Sequence, residues 1–153
     1  METIEKSVEV LNDLIEINND RVAGFEHASK DLGDGDRDLS DFFRTQIEAS
    51  RQNSFELTKV VNQLGGEAED GKSISGTIHR NWLDVRATFT GHDRASILAE
   101  CERGEDAIKK AYEDALSADK GLSGEARQVV ATQQIGINAS HDKVKAMMQI
   151  AQS

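Results

Sequence analysis

Leu98-Ala99-Glu100-Cys101-Glu102-Arg103-Gly104-Glu105-Asp106-Ala107-Ile108-Lys109-Lys110-Ala111-Tyr112 is the stretch on which the fold turns. Advancing roughly 100° per residue, as an α-helix does, places Leu98, Cys101, Ile108, Tyr112 and then Leu116 along one stripe, with Glu105 near its middle. Glu102 stands at the border of that stripe and Glu100 projects outward. A helix buried along it carries a carboxylate into the interior, which is costly unless the acid finds a partner, a ligand or a metal.

Working outward, the same periodicity repeats. No proline interrupts the chain, and apolar residues recur at three- and four-residue spacing rather than alternating, so the chain reads as all-α. Gly33, Gly65 with Gly66, Gly91 and Gly121 each follow a periodic stretch, as residues just past a helix end do. Asp38, Ser73, Asp93 and Ser123 are the matching N-cap candidates. The predicted helices are 2–32, 39–64, 74–90, 94–118 and 123–151. Four long helices with a shorter third one describe an up-down four-helix bundle with an additional crossover helix, read as one domain over 1–153.

The stripes of the other helices decide which polar groups need explaining. The first carries Leu11, Leu14, Ile15, Val22 and Phe25, with Asn18 at its centre and Glu26 at its edge; the acids from Glu2 to Asp20, Glu16 included, read as a solvated face. The second carries Leu39, Phe43, Ile47, Leu57 and Val61, with Ser50 and Ser54 inside and Arg51 beside it. The third shows Trp82 as a packing anchor and His79 off the stripe. The fifth carries Val130, Gln133, Ile137, Val144 and Met148, with His141 in the same line. Glu105 and His141 are therefore the deepest ionisable residues. The plain reading is that they meet in a charge-assisted hydrogen bond, with Arg51, His79, Arg80 and Asn18 in the surrounding polar network. Gly24, Gly76, Gly104 and Gly136 fall inside predicted helices, where close helix approach, or space for a small ligand beside Gly104, would offset their cost.

Composition narrows the partners. With 18 Lys and Arg against 28 Asp and Glu, a net charge of −10 repels nucleic acid and anionic membrane surfaces. No apolar run is long enough to span a bilayer, and the start of the chain lacks the pattern of a signal peptide. The single cysteine, Cys101, excludes an internal disulfide and reads as a small buried hydrophobe. A cytoplasmic protein is expected, with a homo-oligomer as the partner to test for. The run Gly33-Asp34-Gly35-Asp36 with Asp38 is oxygen-rich but lacks the spacing and the bidentate Glu of a calcium loop.

The run Glu100-Cys101-Glu102-Arg103-Gly104-Glu105-Asp106, with His79-Arg80-Asn81-Trp82, Leu11-Asn12-Asp13-Leu14-Ile15 and Gly65-Gly66, resembles a family of uncharacterised bacterial ferritin-like proteins over nearly the whole chain. That resemblance implies a ferritin-like fold and says little of activity. The wider ferritin-like class builds a di-iron site from a Glu on each of two helices and a Glu-x-x-His pair on each of the other two. Here Asn18 stands where the first Glu would fall, the second helix has no Glu-x-x-His, and Asn138 precedes His141 by three residues. Glu105 remains suitable, with Glu102 one turn away. Such a set cannot hold two hard cations, so ferroxidase activity and a resident cofactor are not expected. The first functional reading is a non-enzymatic binding or stress-associated bundle with a degenerate metal site. The alternative is a redox or storage protein in which Glu105, His141, Glu102 and Glu26 hold iron or another divalent metal. A small-ligand carrier using space near Gly104 is the third.

Overall fold

Each described helix buries residues at helical spacing and stops where glycine or a polar turn allows it. The computed structural model of the protein describes residues 2–68 and 93–152. Within them α1 spans Glu2–Ser29, α2 Arg37–Gln63, α3 Arg94–Ala115 and α4 Gly124–Gln152, with 3-10 turns at Asp34–Asp36 and Ala118–Lys120. No strand occurs among the described residues, and the all-α expectation holds. The expected crossover helix 74–90, with His79, Arg80 and Trp82, lies outside them.

The helix bounds depart from the expected ones by about one turn where a tighter turn takes over. α1 ends at Ser29 rather than at 32, and α3 ends at Ala115 rather than at 118. Helix α2 starts at Arg37, with Asp36 rather than Asp38 at the cap position and no side-chain cap bond. Asp93 does cap α3: its carboxylate accepts from the Ser96 backbone N–H at 2.8 Å, and the Ser96 hydrogen bonds hold its carboxyl below the usual range.

The C-terminus of α2 shows why two glycines stand together. Leu64 is the C-cap and Gly65 adopts φ +84°, its N–H donating to Asn62 at 3.1 Å; the Gly66 N–H donates to Val61 at 3.0 Å. This pair of bonds is a Schellman motif and uses carbonyls the helix leaves open. Gly66 is needed for space as well, since a Cβ there would lie 2.8 Å from both γ-carbons of Val8 and 3.3 Å from Val61 Cγ1. Valine is stiff about χ1, so Gly66→Ala should cost about 1–3 kcal/mol. Thermal melting checks this; an unchanged midpoint would mean that α1 shifts freely at Val8.

At the other end Arg94 opens α3 by bridging Asp36 at 2.9 Å and Asp38 at 2.6 Å, the residues that open α2. Hydrogen bonding to Arg94 depresses the Asp38 pKa. α2 and α3 therefore start at the same end of the bundle. Since α2 has 27 residues, it runs roughly 40 Å away before the chain returns to Arg94.

Among the described residues the interior holds two apolar clusters. One gathers Leu11, Leu14, Ile15, Leu57, Val61, Ile108, Val130 and Ile137; the other gathers Phe25, Leu39, Phe43, Ile97, Leu98, Cys101 and Val144. On every helix the gap between the two is filled by a polar residue: Arg21 on α1, Ser50 on α2, Glu105 on α3 and Ser140 on α4, all buried.

Candidate functional site

That gap is a polar layer crossing the whole bundle. Glu105 lies on α3 four residues after Cys101 and three before Ile108, so helical geometry turns it inward with them. Its partner is Arg21, three residues after Asn18 and four before Phe25 on the inner face of α1. Arg21 Nε donates to Glu105 Oε1 at 2.7 Å and Nη2 donates to Oε2 at 3.0 Å, both side chains being 1% exposed. Nη1 donates to Ser50 Oγ at 2.9 Å, and Nη2 is shared further with Ser140 Oγ at 2.8 Å and Gln46 Oε1 at 3.1 Å. Ser140 in turn donates to Glu105 Oε2. A bidentate, fully hydrogen-bonded pair of this kind is the form in which a full ion pair can be kept dry.

A second layer, built mainly of amides and a phenol, lies about one turn away. Asn18 Nδ2 donates to Tyr112 OH at 2.8 Å, and Tyr112 OH donates to Gln133 Oε1 at 2.7 Å. Gln133 Nε2 reaches the Asn53 carbonyl at 3.2 Å and Glu56 Oε1 at 3.1 Å, while Asn53 Nδ2 closes back on Asn18 Oδ1 at 3.2 Å. Burial raises the Tyr112 pKa, so the phenol stays protonated and can play both roles. The same cause raises Cys101, whose thiol is buried beside Glu105 and Glu100 and is unreactive in that setting.

The expected Glu105 to His141 bond is not formed. Glu105 faces Arg21, and His141 contacts Asp106 through Nε2 and stands 3.4 Å from Asp142 Oδ1 through Nδ1. Nor do Glu26 and Arg51 reach the interior: they pair with each other at 2.8 Å on the outside, with 50% and 63% of their side chains exposed. Each lies at the edge of its stripe, where a long side chain reaches solvent more cheaply than the core. Glu16, expected on a solvated face, is buried, and Glu100, expected to project outward, is mostly covered, with burial raising its pKa. Arg21 and Asp106 belong to the site without being among the expected residues. The signal for Arg21 was its spacing of three and four from Asn18 and Phe25; for Asp106 it was the one-turn step from Glu102.

On the outer side of the α3 and α4 pair, Glu102, Asp106 and His141 offer ligand atoms that all lie within 4.8 Å of one another. A separate cleft of about 690 Å³ runs between α2 and α4, lined among others by Gln46, Asn53, Gln133, Gly136 and Ser140, and it reaches Arg21. Gly104 is buried within α3 and does not line this cleft, so the space expected beside it is not where the opening lies.

These residues do not fit a dinuclear iron centre inside the bundle. Both oxygens of Glu105 are taken, the facing side chain on α1 is a cation, and a guanidinium cannot coordinate a metal.

Comparison with known proteins agrees with the architecture. No curated protein matches the sequence. Among solved structures, a point mutant of Dps1 from Mycobacterium smegmatis is similar, with a TM-score of 0.80 at 10% identity, covering 96% of this chain and 97% of that one. At such low identity the likeness speaks for the fold, an all-α ferritin-like bundle. Residues 6–118 match the model of a family described as a domain of unknown function (DUF2383), and the chain belongs to that family.

Proposed function

We propose that the protein is a non-enzymatic binding bundle of the ferritin-like fold, its interior polar groups holding the helices in register and its surface making the functional contacts. The observation that carries this reading is the Arg21 guanidinium, clasped by Glu105 in the centre of the bundle. A fixed positive charge there repels an entering cation and uses up the carboxylate that would bind it. The competing reading, redox or storage chemistry at Glu105 and His141, is disfavoured for the same reason. Exposed apolar side chains, Phe55 on α2 and Ile135 on α4, support a homo-oligomer as the working form.

Aerobic oxidation of ferrous iron tests the interior. The rate is expected to be the same for the natural protein and for the double variant Arg21→Met with Glu105→Leu. A protein-dependent oxidation abolished by the double variant, with its helicity intact, would overturn the reading. Mass in solution tests the oligomer, and a monomer at working concentration would remove that part.

A further inference from the structure

Outside the interior, one cluster has the chemistry of a cation site and lies apart from the pair of Arg21 and Glu105. Glu102 and Asp106 stand one turn apart on α3 and face His141 on α4. The imidazole is 8% exposed and Asp106 56%, so the ring forms the wall and the carboxylates the mouth. Carboxylate oxygens flank both ring nitrogens, Asp106 at Nε2 and Asp142 at Nδ1. A neutral imidazole has a single N–H, so one of its nitrogens would turn a lone pair toward a carboxylate. A metal ion held by the ring and the carboxylates would remove that mismatch.

On α4, three residues before His141, the Asn138 Oδ1 is buried without a hydrogen-bond partner. A buried acceptor left unmatched costs stability unless a donor or cation comes to it.

We infer that Glu102, Asp106 and His141 form a mononuclear site for a first-row divalent transition ion, open to water on its outer side. Two ligands each about 2.1 Å from an ion stand at most about 4.2 Å apart, so the observed cluster closes on a metal by small side-chain rotations. One imidazole with two carboxylates suits zinc, iron or manganese, whereas magnesium and calcium prefer all-oxygen sets. The Asp142 carboxylate beside Nδ1 would fix the tautomer that leaves Nε2 free to ligate. This site is independent of Arg21 and Glu105, and its failure would leave the interior reading untouched.

Calorimetric titration of the full chain, stripped by chelator, with zinc and with manganese chloride provides the test. One equivalent should bind, and His141→Gln and Asp106→Asn should each weaken binding at least tenfold. Glu102→Gln, which leaves the contact between His141 and Asp106 in place, should weaken it as well. Asp114→Asn, an exposed acid farther along α3, should change nothing. Zinc should also shift the His141 ring nitrogen resonances while circular dichroism stays constant. Equal affinity in the natural protein and in His141→Gln would mean nonspecific attraction to a chain of charge −10 and would overturn the proposal. No binding at all would do the same.

Discussion

Glu105→Ala is expected to lower the unfolding free energy by about 3–5 kcal/mol, because it leaves the buried Arg21 guanidinium without its counter-charge. The loss far exceeds what a surface pair would give; for the exposed bridge between Arg51 and Glu26 the expected effect is about 0–1 kcal/mol. Arg21→Ala should cost a similar amount, since Glu105 then keeps only Ser140 as a donor among the contacts described above. The informative comparison is the double variant Arg21→Met with Glu105→Leu, which removes both charges and fills the space. It should recover most of the loss, as apolar replacement of a buried pair is often neutral or better. Urea denaturation of the four proteins measures this. Single variants as stable as the natural chain would show that water already solvates the pair.

The second large effect is expected at the aromatic end of the bundle. Phe43 is fully buried, its ring 5.1 Å from that of Phe25 and 6.2 Å from that of Phe42. Phe43→Ala should destabilise by about 3–5 kcal/mol through lost burial and the cavity left behind. The polar layer separates this cluster from the other, so the damage should be local at first. In hydrogen exchange, amides around Phe25, Leu39 and Leu98 should lose protection before those around Leu14, Leu57 and Val130. Uniform loss across both clusters would mean that the layer does not divide the interior energetically.

How much of this was legible in the sequence follows from what periodicity can and cannot carry. Glycine punctuation and three- and four-residue spacing located the ends of the described helices to within about one turn, because backbone stops and apolar stripes are local properties. The same stripes placed Glu105 and His141 inside, and both are buried. Pairing is not local. Which group an inward acid meets depends on the rotation of each helix and on how far a long side chain reaches. Arg21 is one of the chain's many charges, and only its spacing from Asn18 and Phe25 puts it on the inner line. His141, expected in line with its stripe, turns toward Asp106 rather than across the bundle. Glu26 and Arg51, at the borders of their stripes, find each other in solvent. Border positions are where a helical wheel loses its power to choose, since a few degrees of roll exchange inside for outside.

The cleft between α2 and α4 has a consequence for how so polar a centre persists. It ends on Arg21, and Gly136 on its wall has open space where a Cβ would stand. A passage of this size brings the solvent boundary close to a guanidinium that is itself only 1% exposed, which reduces the Born cost of keeping a full charge there. Filling the passage with bulky apolar side chains would therefore move that boundary away from Arg21, and tighter packing would weaken the bundle it was meant to improve.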